Sequence, residues 1–175
     1  VAKYELVGPI TYGLYIGLYR IRSLVALREG VGVGTWGGYV QGPNNLSHEG
    51  LCWIGPSAMV LDQAKVSEDG FITDTACMMQ KAKLFGKAKV SGQALLSGEV
   101  QVLGRAEIKD NATILGFAIV QDLASIEDDA ALYDAPVVWG RALIHEQAQA
   151  GGKSRIYGTA IVGGNTTLFD ARVSR

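Results

Sequence analysis

The chain has 175 residues and only two histidines, and one of them stands where a base could act. His145 is followed by Glu146 and then by an irregular stretch, Gln147–Ser154. An imidazole with a carboxylate beside it is the pairing that general-base catalysis uses, one group taking the proton and the other orienting the ring. The competing reading is a solvated histidine on an outer surface, which is the commoner fate of such a residue. His48 lies in a turn-rich stretch, where a hydrogen bond to the turn explains it. Cys52 and Cys77 are 25 residues apart and read as two reduced thiols. Gly32-Val33-Gly34-Thr35-Trp36-Gly37 reproduces a dinucleotide-binding spacing. No helical pattern follows to offer its N-terminus to a phosphate, so the stretch reads as tight turns.

The elements that must position these groups are set by a period of six. Stepping from Ala58 by sixes meets alanine at fourteen of nineteen positions, ending at Thr166. Two residues further on, eighteen of nineteen are large and aliphatic, from Val60 to Leu168, with Ala150 the exception. A six-residue spacing suits neither a straight helix nor one long strand. It suits a short strand followed by a bend. Positions one and three then point inward and position two outward, because side chains alternate along a strand. The fifth position is Gly nine times, Asp or Glu nine times and Gln80 once, residues that fit a left-handed corner or tolerate it better than β-branched ones do. Three units close a triangular coil of eighteen residues, so residue i stands under i+18, about 4.8 Å away. One interior column becomes Val60, Met78, Leu96, Ile114, Leu132, Ala150, Leu168. The reading is all-β, a parallel β-helix of about six triangular coils. Gln147–Ser154 is either a poorly filled unit or a loop of the same length.

Residues 1–57 lack the period and hold eleven glycines. They read as a β-rich cap, with strands at Lys3–Val7 and Leu14–Leu27, on a repeat domain of residues 58–175. Net charge is −1, and no basic stripe suggests nucleic acid. No apolar run reaches membrane-spanning length, and Val1–Glu5 lacks the regions of a signal peptide. The sequence therefore points to no membrane and no nucleic-acid partner. The acceptor-type triplets at Asn45, Asn111 and Asn165 mean little in that setting.

The segments Gly34-Thr35-Trp36-Gly37-Gly38-Tyr39-Val40, Asn45-Leu46-Ser47-His48-Glu49-Gly50 and Cys52-Trp53-Ile54 run directly into the hexads. In these the chain resembles the YdcK-like group of hexapeptide-repeat proteins, over about residues 18–171. The resemblance implies a left-handed helix, against the usual crossover hand, and a bacterial or phage-encoded origin. Members are often labelled transferases by likeness of fold to acyltransferases, which are commonly trimers. Those enzymes use a catalytic His, an acyl-CoA groove between neighbouring helices and a loop thrown out of the coil. Here Gly comes two residues after the aliphatic one, as in Val90-Ser91-Gly92, rather than directly after it. Carbonic anhydrases of this fold bind zinc through three His drawn from two chains, and only two His in the whole chain speak against such a site; no flat Thr ladder of the antifreeze type is present.

The outward positions speak of partners. One wall carries Met59, Leu61, Cys77, Met79, Leu95, Leu115, Tyr133 and Phe169, mostly apolar. A second carries Trp139 and Tyr157, one coil apart, as an aromatic contact spot. A third is more polar. A large apolar face is seldom left in water, so the first wall should be covered by the Tyr4–Leu27 strands or by another subunit. The chain stops mid-repeat at Arg175, and an open coil end also invites pairing. The expectation is a rigid, non-catalytic structural or interaction module. It self-associates, with a trimer favoured, and pairs with another structural protein if virion-associated. It binds no metal and no cofactor. Its place is the cytoplasm, or the virion if phage-encoded. The alternative is an acyl-CoA-dependent acyltransferase with His145 as base and Glu146 beside it.

Overall fold

The structure, a computed structural model, describes residues 1–175. It is a parallel β-solenoid with three flat walls and no α-helix. The first wall has ten strands, of which two at its N-terminal edge form an antiparallel hairpin, so eight parallel rungs remain. The other two walls have seven each. Register follows the eighteen-residue step: Met78 pairs with Leu96, Leu96 with Ile114, Ile114 with Leu132 and Leu132 with Ala150. Ala58, Val60, Ala94, Leu96, Ala112 and Ile114 are fully buried, as are almost all residues at positions one and three. Small alanines alternating with large aliphatics let three walls meet in one narrow core without voids.

Every fifth position is a corner at positive φ, from +49° at Asp170 to +107° at Gly98. The acidic residues do more there than tolerate the bend. Asp74 Oδ2 accepts a hydrogen bond from the Gly92 amide at 2.9 Å, Asp122 from the Gly140 amide at 3.0 Å, and Asp134 from the Gly152 amide at 3.1 Å. Each carboxylate satisfies the corner amide of the next coil, a group the strand ladder leaves without a partner.

The turns number about eight rather than six. Interior spacing continues backwards past Ala58, but with an eight-residue step inside it. Val40 pairs with Val60 and Leu46 bridges Val66, each twenty residues on, while Ile54 pairs with Ile72 eighteen on. The two extra residues fall between Leu46 and Ile54 and hide the first turn from any fixed-period count. That turn uses β3 (Trp36–Val40) and β4 (Trp53–Ile54). At the other end Ile156 pairs with Val173, seventeen residues on. One corner residue has been dropped, and Ala171-Arg172-Val173 takes up the small-x-aliphatic pattern again.

The hairpin is β1 (Tyr4–Tyr12) and β2 (Tyr15–Ser23). β2 pairs with β3 through Tyr19, Arg20 and Arg22. Leu18 is fully buried in a small cluster with Tyr39 and Leu61, against which Ile10, Met59, Cys77 and Met79 pack. The hairpin therefore covers the outer face of the first wall over its first coils.

Candidate functional site

Gln149–Gly151 forms a strand of the first wall, paired with Ala131 and Leu132 on one side and Thr167, Leu168 and Phe169 on the other. Residues 147–153 are thus a thinly filled unit within the coil and throw out no loop. A Cβ on Gly151 would collide with the Tyr133 ring, so Tyr133 lies down over the bare glycine. Ser154, fully buried at an inward alanine position, donates to Gly151 O at 2.7 Å and accepts from the Ala171 amide at 3.2 Å.

His145 and Glu146 are not brought together as a base and its orienter. Glu146 sits at a corner, and its carboxylate accepts a hydrogen bond from the Gly164 amide of the next coil. His145 has Asp128 as its nearest carboxylate, with Oδ2 4.0 Å from Nδ1. Asp128 is itself engaged, accepting from the Glu146 amide at 2.9 Å. The imidazole lies over Gly163, where a Cβ would meet the ring. The adjacent residues differ because position four leans along the wall while position five turns the corner.

His48 belongs to the cap. Its Nδ1 accepts from the Lys3 amide at 3.3 Å, and its ring stacks on Tyr4 with centroids 4.1 Å apart. Tyr4 is buried and donates to Leu46 O at 2.7 Å. Burial, with Cys52 nearby, pushes its phenol up to about 12. Desolvation and then the nearby Lys3 and N-terminal charges hold His48 below its ordinary value of 6.5. The neutral ring is the form that accepts from Lys3. A lowered folded value means the unfolded cap binds the extra proton, so this contribution is intact above about 6.5 and is lost as pH falls through the folded value. Corrected for the intrinsic exchange rate, the protection of the β1–β2 amides should fall on mild acidification, and His48→Gln should remove that dependence. Exchange with the same pH profile in the variant would refute the assignment.

The glycine run does not form a phosphate cradle. Gly34 turns at φ +83°, and Gly37 belongs to β3, where a Cβ would strike Ile21 and the Ile54 carbonyl. Both cysteines are free. Cys77 lies partly under the hairpin, and burial, with Asp62 adding to it, pushes its thiol up to about 11. No group of three His, Cys, Asp or Glu side chains converges to hold a metal. No helix is long and apolar enough to cross a membrane.

The first wall is where apolar surface collects. Leu61 is only 2% exposed beneath the hairpin, and Met59 and Met79 are half-buried beside it. Past those coils the cover ends. Leu95 and Tyr133 are half-buried, Leu115 is exposed, and Phe169 is 62% exposed. Phe117, equally exposed at 62%, sits at a sixth position that inward–outward alternation does not track. Leu115 and Phe117 line an open cleft of about 540 Å³ along the corner, with Ser97, Gly98 and the Lys81–Glu99 ion pair at 3.0 Å. On the second wall Trp139 and Tyr157 stack, centroids 4.5 Å apart and 8° from parallel. Arg172 caps the stack, its Nε donating to the Tyr157 hydroxyl at 3.2 Å. Hydrogen bonds from Ser174 and Arg172 draw the Tyr157 phenol below its usual range. The hairpin tip is apolar as well, with Leu14 and Ile16 at 97% and 84% exposure.

No family model matches the chain, and no curated protein matches it.

Proposed function

We propose that this chain is a rigid structural or interaction module that works by presenting its walls to partners, first of all to copies of itself, rather than by catalysis. The observation that carries this reading is the first wall. Its outer face is mostly apolar, the hairpin covers only the first coils, and Leu115 and Phe169, with Phe117 at the adjoining corner, stand in water beyond them. An uncovered face of that kind on a stiff scaffold suits an interface. A trimer is the favoured assembly, and it follows from the resemblance to the YdcK-like group, as do a left-handed coil and the phage-encoded, virion-associated alternative. Both acidic neighbours of His145 serve as corner acceptors, which favours a non-catalytic reading over an acyl-CoA-dependent one.

Light scattering on the purified chain should give a mass near three times that of the chain. Leu115→Asp combined with Phe117→Ser should weaken the assembly at least ~10-fold, since a charge at the centre of an apolar contact is desolvated without a partner. A strict monomer at high concentration would sink the reading. Acetyl-CoA should not bind, and titration calorimetry decides that directly. Binding that is lost in His145→Ala would replace this proposal with the acyltransferase.

A further inference from the structure

We propose that Lys3 and Cys52 form an oxidative cross-link site, in which peroxide joins Nζ to Sγ through one bridging oxygen. Lys3 is 4% exposed and Cys52 is fully buried. Lys3 Nζ is 3.0 Å from Cys52 Sγ, 3.1 Å from Cys52 O, and 3.2 Å from both Glu49 O and Gly50 O. No carboxylate is within ion-pair reach of it. Three carbonyls can take the three ammonium protons, and the sulfur is left as the fourth, non-backbone neighbour. A buried lysine ordinarily meets an acid; this one meets a thiol. The cage is thin, because Glu49, Gly50 and Leu51 are exposed and the chain is fully exposed at Val1. A molecule as small as hydrogen peroxide needs only a brief opening of that corner to reach the sulfur.

The chemistry balances with peroxide as the oxidant. One hydrogen peroxide converts the thiol to a sulfenic acid and leaves as water. The lysine then reacts as the free amine, its ammonium proton having passed to water. A second peroxide removes one hydrogen from the amine and the hydrogen of the sulfenic acid, the N–O bond forms, and two waters leave. Sulfur and nitrogen together lose four electrons, and the two peroxides accept them. A single oxygen spans nearly the present Nζ–Sγ separation. A direct S–N bond would require the two atoms to close far inside it. The bridge ties the start of β1 to the first coil and restricts the unfolded chain, as a disulfide does. It would act as a redox-set staple on the hairpin that covers the first wall. This inference does not depend on the assembly proposed above.

The test uses the full chain carrying Cys77→Ser, so that one thiol remains. The protein is exposed to hydrogen peroxide, quenched with catalase, and mapped by mass spectrometry without reductant. The expected result is a gain of about 14 Da, one oxygen less two hydrogens. It should reside in a peptide linking residue 3 to residue 52, and dithiothreitol should abolish it. Lys3→Arg should instead give only stepwise oxygen additions on Cys52. Stepwise additions with Lys3 free, a link lighter by two hydrogens, or an unreactive Cys52 would each overturn the proposal. Because the map is made on a chain that keeps both residues, it decides the matter even if Lys3→Arg does not fold.

Discussion

Gly98→Ala will destabilise the middle coils by about 3–5 kcal/mol, enough to lower the melting transition by roughly 10 °C. Two causes add. Gly98 sits at φ +107°, beyond the left-handed well that acidic corners occupy at +49° to +65°. Its added Cβ would also run into Gly116 of the next coil, against the carbonyl oxygen and 2.8 Å from the amide nitrogen. Those are backbone atoms held in the parallel ladder with Gly98, so they cannot swing aside as a side chain could. Asp134→Gly is the control. Asp134 lies at φ +65°, so glycine relieves strain there while forfeiting the hydrogen bond to the Gly152 amide at 3.1 Å. The two effects oppose, and the net change should stay within about 1 kcal/mol. Thermal melts of the pair measure the difference directly. Equal effects at the two corners would mean that corner identity is not governed by backbone geometry.

Leu96→Ala should cost about 2–5 kcal/mol. Leu96 is fully buried, stacked between Met78 and Ile114, and the inward residue just before it, Ala94, is too small to fill a hole. The loss should also be local. Coils contact mainly their neighbours, so stability is close to a sum of rungs and interfaces. Hydrogen exchange should therefore rise across residues 77–116 and change little across 137–162. The same column holds Ala150, whose next neighbour Leu168 is only partly buried. A small residue there stands near the end of the stack, whereas at Leu96 it would open a cavity in the middle. Uniform loss of protection along the whole chain would show that the solenoid unfolds as one unit and that nearest-neighbour stacking is the wrong account.

Several features were legible from residue types alone because each coil repeats the same local requirement. Inward alternation marks positions one and three, and corner backbone marks position five. All nineteen of those fifth residues have positive φ. The first turn was not legible, since two extra residues between Leu46 and Ile54 break the count while leaving Val40, Leu46, Ile54 and Val60 inside. The seventeen-residue step to Val173 is hidden the same way. For the apolar wall, the pattern identified Met59, Leu61 and Met79 as needing cover but could not choose the cover. That choice rests on Leu18 and Ile10 meeting them across more than forty residues of chain. The adjacency of His145 and Glu146 suggested a pair, and the corner separates them.

The six-residue period, by itself, determined a parallel coil with an aliphatic axis, because alternation and a recurring left-handed corner admit few other windings. Tertiary structure alone decided what each polar side chain does. A corner carboxylate is committed by an amide one coil away, and Lys3 meets Cys52 only when the hairpin docks on the first turn. Those contacts join residues eighteen or more apart, and local spacing carries no information about which of them form.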